Sequence, residues 1–302
     1  MFRVLQELGF SPNDRVIIIN ADDLGVTRST NQAILQMFQS HAITSTSLMV
    51  PADAAYEAAQ QCSRIHTLSV GIHITLTSHK SRRYKPITTQ EKVLSLTDEQ
   101  GYFYDEASDF EKFADPAEVK IEVEAQIQRA ISLGIDPTHL DSHAGSVLGL
   151  YHNRDFLEVI LELCVKYALP FCLPIRILEH PNFSSEQKHL FSQRIRLANQ
   201  LGILFIDDLA GLDYHFSSDG GYEGAKRDLI HQMNDLKPGI TQFTTHPAFI
   251  SDELKELTAY DENREMEVQL YNDPDVKDQM KRQNLKLISW KTIRDLQRKG
   301  DS

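Results

Sequence analysis

Val16-Ile17-Ile18-Ile19-Asn20-Ala21-Asp22-Asp23-Leu24-Gly25 is the stretch on which the fold turns. A short, continuous β-branched run of this kind reads as a strand buried on both faces, as in a parallel sheet covered by helices. A helix follows over about Ser29 to His41, where Ala33, Ile34, Met37 and Phe38 keep helical spacing and Ser29 or Thr30 is placed to cap it. Outward from there the alternation repeats. Thr44 to Val50 reads as a strand, Ala52 to Cys62 as a helix and Leu68 to Leu76 as a third strand. That is βαβαβ, with connections short enough to be parallel crossovers.

The pattern breaks from Thr77 to about Phe113 into a polar stretch with Lys80, Arg82, Arg83, Tyr84 and Lys85, then a Gly101-Tyr102-Phe103-Tyr104 turn. An insertion of that length, about 77–115, is usually functional or disordered. Val119, Val123, Ile127, Ala130 and Ile131 then form a helical stripe ended by Gly134, and Thr138 to Asp141 supplies the next strand. Helix and strand candidates alternate to the end: Phe156–Tyr167, Phe171–Ile175, Gln187–Leu201, Ile203–Asp207, Gly224–Leu236, Ile240–Thr245, Glu262–Arg282 and Leu285–Trp290. These make seven or eight βα units. No composition shift or Gly/Ser linker divides the 302 residues, so the expectation is one domain over 1–302, an α/β chain forming a closed or nearly closed (β/α) barrel. A doubly wound α/β sheet is the alternative.

Composition narrows the partners. Thirty-one Lys and Arg against 43 Asp and Glu give a formal charge of -12, which repels a phosphate backbone, so nucleic acid is not expected. Cys62, Cys164 and Cys172 form no CxxC pair, which disfavours a disulfide framework and a thiolate zinc site. Met1 to Phe10 lacks the apolar core and small-residue cleavage site of a signal peptide, and no apolar run approaches a membrane span. The expectation is a soluble, cytoplasmic protein without a membrane partner.

In a barrel of this kind the chemistry sits at the C-terminal ends of the strands. Four such ends are rich in Asp or His: Asn20 to Gly25; Gly71-Ile72-His73-Ile74-Thr75; Thr138-His139-Leu140-Asp141-Ser142-His143; and Thr244-Thr245-His246-Pro247. Period-two alternation puts Val70, Ile72, Ile74 and Leu76 on one face of the third strand and Gly71, His73 and Thr75 on the other. The aliphatic face suits the helix layer, and His73 then points into the barrel, where a neutral imidazole is a good ligand for a divalent metal. Paired aspartates after a strand also cap helices, a strand histidine is often a hydrogen-bonded core residue, and His246 before Pro247 also suits a turn. His79, His139, His152, His215 and His231 stay at such readings, because their neighbours do not single them out. Two histidines and one carboxylate would bind a metal and leave positions open, and the second carboxylate of the Asp-Asp pair can stand beside its water as base. Hydrolysis of an unactivated bond follows from that set.

Taken together these motifs, with Thr44-Ser45-Thr46-Ser47 and His246-Pro247-Ala248-Phe249, resemble the YdjC-type carbohydrate deacetylases, which include chitooligosaccharide deacetylase. They occur in the family's order over nearly the whole chain, and Leu287-Ile288-Ser289-Trp290 resembles the family's last strand. The resemblance implies a distorted TIM-like barrel of about seven strands, commonly a homodimer, that removes acetyl groups from N-acetylated sugars with one divalent ion. It points to Mg2+, while the donor types also admit Zn2+. It implies Asp22 as general base, Asp23, His73 and His143 as metal ligands, and His246 as the acid for the departing amine. One departure stands out. The chitooligosaccharide branch continues the Asp-Ser-His motif with further histidines, whereas this chain reads His143-Ala144-Gly145-Ser146-Val147, which makes that wall small and less polar. Arg82, Arg83 and Tyr84 would suit a cover over the sugar, or a solvated loop.

Two other functions fit the same fold. A metal-dependent sugar isomerase or epimerase needs a second base on the opposite face, and no compelling Glu or Lys at another strand end supplies one. A non-catalytic sugar-binding protein would have no need of both Asp22 and Asp23, which are present.

Overall fold

The computed structural model describes residues 3–213 and 220–300; His215 lies outside them. Among the described residues seven strands form one sheet: β1 (Arg15–Leu24), β2 (Ser45–Leu48), β3 (Val70–Ile74), β4 (Leu140–Ser142), β5 (Asp208–Ala210), β6 (Gly239–Thr245) and β7 (Lys286–Leu287). Every pairing among them is parallel. The order is β4-β3-β2-β1-β6-β5, and β7 pairs with β1 at Val16 and Ile17, below the point where β2 joins at Asn20. Single bridges from Leu140 to Phe171 and from Pro174 to Ile206 then connect the two open edges. Consecutive strands are neighbours from β1 to β4 and from β5 to β6, β6 returns to β1, and the bridges carry the same progression from β4 to β5, so the described strands show no switch point of the doubly wound kind. The fold is a distorted TIM-like barrel.

The distortion has local causes. The expected strand at Phe171–Ile175 is reduced to two bridges because Pro170 and Pro174 cannot donate to a ladder, and a 3-10 turn begins at Ile175. The expected strand at Ile203–Asp207 pairs only from Ile206 onward and continues as β5, since Leu204 N–H is bound instead by Gln297 of the last helix at 2.9 Å.

Along β1, Val16 and Ile18 join Ile206, Ile240 and Trp290 in an apolar plug inside the barrel, while Ile17, Ile19 and Ala21 pack into the core beneath the helices. The inward column of β1 therefore runs Val16, Ile18, Asn20, Asp22, from an apolar base to a polar mouth. Trp290, expected in a last strand, instead opens the helix Trp290–Gly300 and fills the base with its fully buried ring. Other boundaries also differ. Thr27, rather than Ser29 or Thr30, caps helix Arg28–Gln39 by accepting from Thr30 N–H at 3.0 Å. The helix expected over Glu262–Arg282 is two helices, Asp261–Asn272 and Pro274–Arg282, because Pro274 breaks the ladder and Asp273 caps the second helix.

The polar stretch after β3 is a packed excursion. Tyr84, Val93, Leu96, Phe103 and Phe110 from it are buried in the main core, and its backbone at Ile87 and Thr88 donates to the buried Glu122. No helix among the described residues is long and apolar enough to cross a membrane.

Candidate active site

The Asp-Asp pair lies on a bulge. Ala21 pairs with Thr46 and Leu24 with Leu48, so β1 spends one more residue than β2 over that interval, and Asp23 takes a positive φ of 65°. In a regular strand two adjacent side chains point to opposite faces. The extra residue lets both carboxylates reach the barrel mouth. Gly25 completes the turn at φ 97°, where a Cβ would lie 2.9 Å from Ala55 Cα.

Four strand ends deliver their side chains to that mouth. His73 Nε2 lies 3.6 Å from Asp23 Oδ1 and 3.8 Å from Asp22 Oδ2, and His143 Nδ1 lies 3.6 Å from Asp23 Oδ1. Asp23, His73 and His143 each offer one donor atom within 4.8 Å of the others, and all three are buried. Tetrahedral donors about 2.0 to 2.2 Å from one ion are roughly 3.3 to 3.6 Å apart, close to the 3.6 Å separations of both imidazoles from Asp23 Oδ1, so the set fits a shared divalent cation by geometry and by chemistry. Asp22, His73 and Asp141 form a second such group. There the nearest approach is a 2.8 Å hydrogen bond between His73 Nδ1 and Asp141 Oδ1, which orients the ring rather than leaving a gap. His246 closes the ring of residues, with Nε2 4.0 Å from Asp22 Oδ2. The five residues expected from the sequence therefore meet at one place.

Burial and charge set them apart. Burial, with like charge from Asp141 and Asp23, raises the Asp22 carboxyl to about 7 against the pull of His73 and the Asn20 amide, which donates to Oδ1 at 2.7 Å. Asp23 is equally buried, yet the Arg264 guanidinium at 2.7 Å and a hydrogen bond with His143 hold it well below the usual carboxylate range. Burial opposes charge on His73, but Asp141, Asp22 and Asp23 together raise it to about 10. Burial lowers His246 to about 4, with Arg264 and the neighbouring imidazoles adding to it and Asp23 opposing.

These residues open into a cavity of about 690 Å³ lined also by Ser78, His79, Glu106, Ala144, Tyr151 and Tyr260. That volume suits a small organic ligand. Ala144 takes the wall position beside His143, as the sequence led one to expect. Arg82, Arg83 and Tyr84 do not line it. Arg82 is paired with Glu253, Arg83 with Asp98 over the Tyr102 ring, and Tyr84 is buried in the core.

The family model described as YdjC-like protein matches residues 16–282. The chain belongs to the YdjC-like family. A carbohydrate deacetylase of Thermoanaerobacter pseudethanolicus is 30% identical over 280 residues, covering 93% of this chain and 100% of that one. A chitooligosaccharide deacetylase of Proteus mirabilis is 30% identical over 244 residues, covering 80% of this chain and 84% of that one. A crystal structure from Enterococcus faecalis V583, described as a candidate cellobiose-phosphate cleavage protein, matches with a TM-score of 0.74 at 29% identity, over 93% of this chain and 99% of that one.

Several residues of this YdjC-like site carry no mark in the sequence. Arg264 and Glu267 come from helix Asp261–Asn272, where their i, i+3 spacing looks like an exposed charged face, yet Arg264 holds Asp23 and Glu267 Oε2 accepts the backbone N–H of His246 at 2.6 Å. His79 stands with its ring centroid 5.5 Å from that of His143 and lines the cavity, although nothing around it in sequence marks it. His139 lies under the site, stacked on Trp290. Tyr151 and Tyr260 are exposed aromatics on the cavity wall, a signal legible only once the loops that carry them are placed.

Proposed function

We propose that the protein is a metal-dependent carbohydrate deacetylase, which hydrolyses the acetamido group of an N-acetylated mono- or oligosaccharide to acetate and a free amine. One arrangement carries the reading: Asp23, His73 and His143 face a common point, with Asp22 and His246 beside it, at the mouth of a cavity large enough for a sugar. The relatives named carbohydrate deacetylase and chitooligosaccharide deacetylase support it. A divalent ion held by the three ligands, Mg2+ from the resemblance or Zn2+ from the donor types, would supply Lewis acidity toward the acetyl carbonyl and hydroxide at neutral pH.

The chain's own residues supply the proton transfers. Asp22, with its pKa near neutrality, is the base that takes a proton as water adds to the carbonyl carbon. The C–N bond then breaks only as nitrogen gains a proton, because an amide anion is a poor leaving group. His246 is neutral at rest, so the proton it gives to nitrogen is one it gains during turnover, and Asp22 at 4.0 Å is the group placed to pass it on. Arg264 keeps Asp23 ionised throughout, and Asn20 steadies Asp22. Tyr151 and Tyr260 offer aromatic faces to the apolar side of a sugar ring.

Acetate release from a panel of N-acetylated sugars, with and without chelator, tests the proposal. Release that persists after metal is stripped would overturn metal dependence, and sugar binding without any release would leave a sugar-binding protein. The homodimer implied by the resemblance is open to sedimentation of the purified chain.

A further inference from the structure

Beneath the site, a file of buried polar groups has a direction imposed on it from the far end. The last helix begins with two backbone amides that can only donate. Trp290 N–H donates to Ser45 Oγ at 2.9 Å and Lys291 N–H to Ser69 Oγ at 3.0 Å. Each hydroxyl has a single proton to give. Ser45 donates to Ser69 at 3.1 Å, and Ser69 donates to Thr138 Oγ1 at 3.1 Å. Thr138 Oγ1 lies 3.1 Å from His139 Nδ1 and still has its own proton to give. Donation to that nitrogen continues the sense of the file and leaves Nδ1 without a proton of its own.

The His139 proton therefore sits on Nε2. That atom lies 3.5 Å from Asp141 Oδ2, and both are buried with no other hydrogen-bond partner among the described residues. A proton between them satisfies two otherwise orphaned groups at once. Asp141 Oδ1 is in turn 2.8 Å from His73 Nδ1, so the carboxylate holds a proton on Nδ1 and Nε2 is the nitrogen turned to Asp22 and Asp23. The His139 ring is held in place. It stacks on Trp290 at 4.7 Å between centroids, and a Cβ at position 71 would overlap it, so only glycine leaves it room. Ser45, Ser69, Thr138, His139, Asp141 and His73 are all buried, out of reach of water that could randomise the sense of the bonds.

We infer that Ser45, Ser69, Thr138, His139 and Asp141 form a one-way hydrogen-bond relay from the N-terminal end of the last helix, fixing the tautomer and orientation of His73. Thr138, His139 and Asp141 are positioning residues in this scheme. The inference rests on the proposed role of His73 as a metal ligand. Partners of this kind, one shell beyond the ligand, typically change metal affinity by about 10- to 100-fold.

The test uses the full-length chain, with Zn2+ as the probe. Thr138→Val keeps the side-chain shape and removes the hydroxyl; Thr138→Ser restores the hydroxyl and omits the methyl. Calorimetric Zn2+ affinity is expected to fall about 10-fold in Thr138→Val and to return to within about twofold of the parent in Thr138→Ser. Ring-nitrogen NMR of the parent is expected to show the His139 proton on Nε2. An unchanged affinity in Thr138→Val, or a Thr138→Ser variant as weak as Thr138→Val, would overturn the relay. So would a His139 proton found on Nδ1, a result that needs no variant to fold. Should the parent fail to bind Zn2+, the ligand assignment falls, while the His139 tautomer still decides the relay.

Discussion

Glu267 makes stability depend on pH in a direction opposite to that of most carboxylates. It is 4% exposed on helix Asp261–Asn272, and its Oε2 accepts the His246 N–H at 2.6 Å. Burial is the largest influence on it and prevails over that bond and over Arg264, carrying the carboxyl from an ordinary 4.5 to about 7. The folded value lies above the unfolded one. The favourable contribution is therefore complete below about 4.5 and is lost as pH rises through 7, when the folded protein must carry a buried charge. At about 1.4 kcal/mol per pH unit the interval is worth about 3 kcal/mol. Glu267→Gln keeps the shape and an acceptor oxygen for His246 but cannot ionise. Denaturant unfolding of parent and variant between pH 4.5 and 8 should show the variant gaining on the parent by up to about 3 kcal/mol, with the gain levelling off above 7. In thermal melts, at about 2 °C per kcal/mol for a chain of this size, the gain is about 6 °C. A difference that stays constant with pH, or one that turns against the variant as pH rises, would refute the reasoning.

Asp22→Asn should retain its metal by calorimetry and lose about 10² to 10⁴ in kcat, the usual range for a general base; full activity would remove the role. His246→Ala should lose about 10² to 10⁴ in kcat on an N-acetyl substrate and less on an O-acetyl analogue, whose alkoxide leaves more readily. Equal losses on both would make it a residue that positions substrate or stabilises the oxyanion. Arg264→Met leaves the buried Asp23 without its partner at 2.7 Å, so metal-free stability should fall by about 3 to 5 kcal/mol, and added Zn2+ should recover part of it. An unchanged metal-free melting midpoint would show that Asp23 is held by other means.

The parts of the protein that arise from period and punctuation were legible in sequence, and the parts that arise from tertiary encounter were not. β1 is readable because a run of Val and Ile has no comfortable place except between two layers, and His73 is readable because its aliphatic neighbours leave it only the inward face. The doubling of Asp22 and Asp23 was visible, but the bulge that turns both into the mouth depends on register with Thr46 and Leu48, which no local pattern records. Pro274 was a visible helix breaker inside Glu262–Arg282, and the longer amphipathic pattern on both sides hid it. Arg264 and Glu267 look like solvated helix charges until the helix is laid over the barrel mouth, and Trp290 looks like a strand residue until the last helix places it inside.

The segment Ser45-Thr46-Ser47 shows why polarity along a strand is a poor guide to exposure. A strand buried on both faces should be aliphatic, and three successive unpaired hydroxyls there would each carry a substantial desolvation cost. None is unpaired: Ser45 serves the relay to His139, Thr46 donates to the carbonyl of Ala21, and Ser47 reaches Asp22 and His73. The barrel is thus apolar at its base, hydroxyl-bonded in the middle and acidic at the mouth, and the middle layer is what lets carboxylates and imidazoles stay buried without losing their orientation. The same layer ties the site to the last helix, whose amides at Trp290 and Lys291 anchor it. A chain cut before Trp290 would lose the apolar plug and the anchors together, so weakened metal binding and weakened folding would arrive as one effect; only a change inside the layer, such as Thr138→Val, separates them.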